Sequence, residues 1–437
     1  MKRSFTIILL STLTLSLFAQ SEPQRYYRSA LTSMMVYHPE DEFGYEVYNI
    51  FKDLPTPDKY DAHSVGYRVI DNAHISGVPG SAQGLHRQEY GKSLVLTSSE
   101  KTLNAEAILE ILEQGQIAKR IVAAWFNWTG DSVQNAVFNT KTIEERSDYT
   151  RTAMEAENIK YTVEGKAALK DISEQLMENS FVLVSDMTYI TAENRAEAAK
   201  VTLGVLGAVF DAVTGGNSGQ RLAQTAGDIA DAFTGFKVMT HTYLYQLEWD
   251  EEKMNDFFVK YYTETPDPEK IRAFIEDKDS YRLRFLGCES STYEKTQKKG
   301  KYTRPELLRF ITQRSIDKNI AALQTQYEAF QITSPITAVE YNAKGKLAGY
   351  RALIGEKEDV KPTSEFEVLE SKVVDGKIVF DRVATLKPVN NNIWDNRFDA
   401  LKENDVDVAV EGTLFKAVGK PIKEIVPGML LRLKKQK

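Results

Sequence analysis

Phe181-Val182-Leu183-Val184 and, farther on, Val238-Met239-Thr240-His241-Thr242-Tyr243-Leu244-Tyr245-Gln246-Leu247-Glu248-Trp249 are the stretches that decide the fold. Four apolar residues in a row suit a strand covered on both faces. The second run alternates with a period of two, which puts Met239, His241, Tyr243, Tyr245, Leu247 and Trp249 on one face of a strand. Ahead of the first run, Ala168, Leu169, Ile172, Leu176 and Met177 recur at helical spacing. The unit therefore reads helix, strand, insertion, strand.

The insertion reads as a helical hairpin over residues 191–236. Thr191 is placed to cap the first helix, with Glu193 in its first turn. Leu203, Leu206, Phe210 and Val213 mark one side, and Gly204, Ala208 and Ala212 mark another. Gly215-Gly216-Asn217 stops that helix. The second helix, Ser218 to Thr234, carries Gly219, Ala223 and Gly227 on a small-residue face. Helices with such faces approach backbone to backbone. The apolar run Val201 to Gly216 contains Asp211 and falls short of the ~20 residues a bilayer needs. Arg221, Asp228 and Asp231 are costly in lipid. Packing within the protein is therefore the favoured reading, and contact with a membrane or partner the sharper one.

The chain has 437 residues, enough for two or three domains, and 42% hydrophobic with 27% charged residues is ordinary for a globular protein. Lys2-Arg3 followed by the apolar run Ile7 to Phe18 and then Ala19 has the form of a secretory signal peptide over residues 1–19. Its removal takes two positive charges and no acid, so the net charge goes from −7 to −9. An acidic chain is a poor partner for nucleic acid, whose binding rests on Lys and Arg against phosphate. Cys288 is the only cysteine, so no intramolecular disulfide forms and the core must carry stability. It reads as a buried structural thiol.

Residues 20–100 read as an irregular region rich in Tyr, His, Pro and Gly, with a short strand at Ser93 to Thr97. Tyr26, Tyr27, Tyr37, Tyr45 and Tyr48 crowd its start. Residues 101–333 form the central domain. It has a helix over Ala105 to Leu112, an ambiguous segment Ile117 to Phe126, and a polar helix over Thr142 to Asn158. An amphipathic helix runs past Met254 and Phe257, and Pro268 opens the next. Tyr281 to Gly287 reads as a strand and Lys295 to Lys301 as a loop. Thr303 and Pro305 start a long core-facing helix through Ile316, Ile320, Leu323, Tyr327 and Phe330. Residues 334–437 change texture: short strands at Ile336 to Tyr341, Phe366 to Leu369, Ile378 to Ala384, Val406 to Val410 and Met429 to Leu433 alternate with turns. Asp375-Gly376 marks a hairpin. The expectation is an α+β protein: a central mixed α/β domain with an inserted helical hairpin, then a small all-β, barrel-like module.

Catalytic signals are sparse. Gly91-Lys92-Ser93 has the end of a phosphate-binding loop, but His86 stands where the loop needs its first Gly. Of the five histidines, His38, His63, His74 and His86 fall in the first hundred residues and His241 on the alternating strand. None has a metal-binding spacing. With Asp61, Asp71 or Glu89 the first four suggest a hydrolytic site only if they converge in space. No catalytic residue, metal ligand or cofactor is assigned.

Lys166-Ala167-Ala168-Leu169-Lys170-Asp171-Ile172-Ser173-Glu174-Gln175-Leu176, Phe181-Val182-Leu183-Val184-Ser185-Asp186 and Pro427-Gly428-Met429-Leu430 resemble segments of a group of uncharacterised exported proteins of Bacteroides-type bacteria. The helix-then-strand unit holding a hairpin is distantly similar to envelope assembly proteins of the curli-secretion type. The resemblance brings no known reaction; with the leader it leads to the expectation of an exported, non-enzymatic cell-envelope protein, periplasmic or at the outer membrane. Its partners would be other envelope proteins, the outer membrane or further copies of the chain. The alternative is a periplasmic hydrolase with its site in the His-rich region.

Overall fold

The computed structural model describes residues 29–57, 60–61, 65–66, 68–75, 84–87, 96–152, 174–191, 233–298, 301–375, 377–404 and 411–435. The fold is mixed α+β with two sheets. The signal-peptide segment, His63, Glu89, Gly91-Lys92-Ser93 and the expected strand Val406 to Val410 lie outside the described residues, as do positions 192–232 of the expected hairpin.

In chain order the first part contains β1 (Ser29–Tyr37), α1 (Gly44–Lys52), β2 (Tyr60–Asp61), β3 (Val69–Asp71), α2 (Asn72–Ile75), α3 (Ser98–Gln114), α4 (Ile117–Trp125) and α5 (Lys141–Thr152). Then come β4 (Ser180–Thr191), β5 (Phe233–Leu247), α6 (Glu251–Lys260), α7 (Pro268–Glu276), β6 (Leu283–Lys298) and α8 (Arg304–Gln326). The sheet runs β2-β1-β4-β5-β6, with β3 also on β1. β1 is parallel to β2, β3 and β4, and β4-β5-β6 are antiparallel.

The two-faced reading of Phe181 to Val184 holds. Val182 and Val184 join one core with α3 and α4, while Phe181 and Leu183 join the other with α8. Burial of each such side chain contributes roughly 1.5–3 kcal/mol. The first core is closed by aromatic stacking, with Phe126 and Phe257 ring centroids 4.0 Å apart. The face of α8 toward the sheet is partly polar, which its apolar spacing did not announce. Asn319 Nδ2 donates to Thr240 O and Thr242 Oγ1, both at 3.0 Å, and the Tyr189 and Thr312 hydroxyls lie 2.9 Å apart. These bonds fix the helix along the strands, because a slip would bury them unpaired.

Several expectations change. Residues 29–37 are a strand at the heart of the sheet and not part of an irregular region; Leu31 and Met35 pack on one face, Ala30, Met34 and Val36 on the other. Thr191 ends β4 and pairs with Phe236, so the hairpin bounds 191 and 236 both fall within strands; the helix it is expected to cap lies outside the described residues. β6 continues through the expected loop to Lys298, because β5 offers it a partner to that point. Thr97 is not in a strand; its side chain caps α3 with Glu100 completing a capping box. The ambiguous segment is helical, as α4.

The second sheet contains β7 (Thr333–Tyr341), β8 (Leu347–Ala352), β9 (Glu365–Val374), β10 (Lys377–Pro388), β11 (Thr413–Ala417) and β12 (Leu430–Lys435), with α9 (Ala400–Asn404) between β10 and β11. Its pairing closes into a ring in the order β10-β11-β8-β7-β12-β9. Phe366, Val368, Leu386, Phe415 and Leu431 fill it. β9 and β10 form the hairpin signalled by Asp375, whose φ is 51°. Arg314 of α8 donates to Glu403 of α9 at 2.7 Å.

Candidate functional site

A buried cluster of ionisable side chains gathers at the end of β1. Alternation along β4 that points Val182 and Val184 into the first core points Asp186 the same way, and its side chain is 2% exposed. Register sets His241 of β5 beside Asp186, and Ser290 of β6 beside His241. The parallel neighbour β1 ends at Tyr37, and the next residue, His38, turns its ring inward. His38 Nε2 donates to Asp186 Oδ1 at 2.8 Å, and its Nδ1 lies 3.3 Å from Glu40 Oε1. Arg87 completes the cluster: its Nε lies 3.5 Å from Asp186, and its two terminal nitrogens donate to Asp41 at 3.0 and 2.7 Å. One of them also reaches Met187 O at 3.0 Å and Thr188 Oγ1 at 3.1 Å.

Burial by itself would raise the Asp186 pKa. The Arg87 charge and the His38 hydrogen bond outweigh it and hold the carboxyl at about 2. Burial first, with Lys101 and Arg87 adding to it, lowers His241 below its ordinary value despite Asp186, so its ring is neutral at pH 7. His241 Nδ1 lies 2.7 Å from Ser290 Oγ, and Nε2 is buried without a hydrogen-bond partner among the described residues. Arg87 is raised: burial opposes its charge, and Asp186 and Asp41 more than offset that.

Chemically this is a closed arrangement. Both nitrogens of His38 face carboxylates, and the Asp186 carboxylate is committed to His38 and Arg87. A Ser-His pair working as a nucleophile and base needs a third group on the far imidazole nitrogen and room for a substrate. Among the described residues His241 Nε2 has no such group bonded to it. A cleft of about 240 Å³ adjoins His38 and is lined also by Glu40, Asp41, Glu42, Met187 and Thr188, which makes its mouth acidic. The cluster ties the 38–44 loop and Arg87 onto the sheet.

Among the described residues the N-terminal histidines are not brought together: only His38 enters the cluster, and His63 lies outside the described residues. His38 and His241 meet around Asp186. His74 and His86 are exposed; His86 precedes Arg87 and uses its backbone N and O on the Asn104 side chain. Asp61 is in β2, and Asp71 accepts from Ala73 N at 2.9 Å at the start of α2. Cys288 is half-buried on β6 opposite Tyr243, and burial pushes its thiol up to about 12. Among the described residues no three or more His, Cys, Asp or Glu side chains are grouped to hold a metal ion. Asp186 and Arg87 escaped the sequence reading. The available signal was a single acid at the core-facing phase of an apolar strand, which demands a buried partner.

No protein-family model matches the chain, and no curated protein matches it.

Proposed function

We propose that this protein is an exported, non-enzymatic component of the cell envelope, at the periplasmic side of the outer membrane. It acts by binding or assembling with other envelope proteins or with the membrane. The observation that carries the reading is how the insertion is mounted. β4 and β5, 12 and 15 residues long, stay paired to the end of β4 at Thr191↔Phe236. The two described ends that flank residues 192–232 therefore belong to neighbouring strands packed on both faces. On this proposal the segment takes the sharper of its two readings, a contact surface held at both ends by paired strands, and not the internal packing its sequence favours. Its glycines and alanines at four-residue spacing suit close contact with another helix or a second copy. Among the described residues no helix is long and apolar enough to cross a membrane. The hydrolase alternative loses support because His38, the first of its histidines, is engaged on both nitrogens by carboxylates.

The test compares the intact protein with a variant whose residues 195–230 are replaced by a short Gly/Ser linker. Paired strand ends lie only about 5 Å apart, so the linker need not be long. Both are expressed with the leader in a Gram-negative host and shown to fold by limited proteolysis. Membranes are then washed with carbonate. The reading expects intact protein to stay with the outer membrane fraction and the folded variant to be released. Intact protein found wholly in the soluble periplasm defeats it.

A further inference from the structure

We infer that the second sheet carries a binding groove for an acidic oligosaccharide, formed by the turn after β10 and the outer face of β10-β11. This stands apart from the role proposed for residues 192–232 and does not rest on it. Two adjoining clefts, of about 200 and 470 Å³, share Asn391 and Asn392 as their common ridge. Trp394 lines one cleft; Lys387, Lys416 and Val418 line the other.

Each part has a chemical reason. Alternation that sends Leu386 and Phe415 into the core sends Lys387 and Lys416 outward, and register sets these two lysines directly opposite each other. Like charges facing across strands repel. Glu365 answers Lys387 at 3.1 Å, and no carboxylate lies within ion-pair distance of Lys416 among the described residues. An anion lying over the pair removes that repulsion. Asn391 and Asn392 are exposed on a short turn held by Asn392 N donating to Val389 O at 2.8 Å. Their side-chain amides make no hydrogen bond within the protein among the described residues. Amides offer donors and acceptors together, which suits arrays of sugar hydroxyls. Trp394 is fixed through its backbone, N to Thr413 Oγ1 at 3.0 Å and O from Glu356 N at 2.9 Å, while its half-buried ring carries no other aromatic ring against it among the described residues. With its backbone held and its side chain half-buried, Trp394 offers aromatic surface for the C–H face of a pyranose at a reduced ordering cost. A shallow, partly polar groove with one indole and a cationic end fits a charged sugar better than an apolar peptide anchor, which needs a deep apolar pocket.

The test is calorimetric titration of the full chain with three probes. These are tetragalacturonate, whose charge is a carboxylate; a phosphorylated mannotetraose, whose charge is a phosphate; and neutral cellotetraose. The inference expects one or both acidic probes to bind, and which one identifies the anion. Binding weakens several-fold between about 50 and 500 mM salt, because an exposed charge pair is screened. Lys416→Glu, on an exposed position, lowers affinity about tenfold or more, and Trp394→Ala abolishes it. Should Trp394→Ala misfold, the double variant Asn391→Ala/Asn392→Ala on the exposed turn takes its place and is expected to lose at least about tenfold. No binding of either acidic probe at millimolar concentration overturns the inference. So does equal, salt-independent binding of cellotetraose, or acidic binding unchanged by Lys416→Glu.

Discussion

Replacing Asp186 with Asn tests whether the cluster at the end of β1 holds the fold together. The variant keeps the shape of the side chain and removes its charge. His38 then faces an amide, and Arg87 loses the buried member of its carboxylate pair while keeping Asp41. Removing one partner of a buried ion pair costs about 3–5 kcal/mol, because the other charge stays desolvated. The pH dependence gives a second, independent magnitude. The Asp186 carboxyl falls from an ordinary 3.8 to about 2 on folding, worth about 2 kcal/mol. The folded value lies below the unfolded one, so this stabilisation is fully present above about pH 4 and is lost as pH falls toward 2. Urea unfolding followed by tryptophan fluorescence reads it, since Trp125 and Trp249 are buried in the first core and report its global unfolding. Wild type should exceed Asp186→Asn by about 3–5 kcal/mol at pH 7, and the gap should narrow by about 2 kcal/mol between pH 4 and pH 2. A gap under about 0.5 kcal/mol at pH 7, or one that widens on acidification, refutes the reasoning. A double-mutant cycle with Arg87→Ala then separates the pairwise coupling from the loss of each side chain.

Gly287 packs under Tyr327, and a Cβ built there would fall 1.7 Å from the phenol oxygen, so Gly287→Ala is expected to cost about 1–3 kcal/mol. The double variant with Tyr327→Ala should recover part of that loss in thermal unfolding; an additive result refutes the steric cause. At pH 8 the raised Cys288 thiol has about a thousandfold less thiolate than an ordinary cysteine, so native protein should react with a disulfide reagent far more slowly than urea-unfolded protein. Equal rates would show that the β5-β6 pair does not shield it.

Much of the architecture was written in local pattern. A period of two marks β5, an unbroken apolar run marks β4, and Thr303 with Pro305 marks the start of α8, because side-chain direction and capping depend on residues close in sequence. The small second sheet announced itself through short runs and turns, although β8 and β11 went unread, being brief and partly polar. The candidate cluster was another matter. His38 and Asp186 are 148 positions apart, and Arg87 is on neither strand. No spacing rule connects them.

The sequence by itself determined which residues face a core and which segments start or stop, since these follow from alternation, helical repeat and capping. Only the tertiary structure decided that β1 enters the sheet beside β4, and that His38, Asp186, Arg87 and His241 share one buried space. The physical reason is that parallel pairing is non-local. A strand's partner is chosen by the packing of both faces, and a buried charge is tolerated only where that packing delivers its counter-charge.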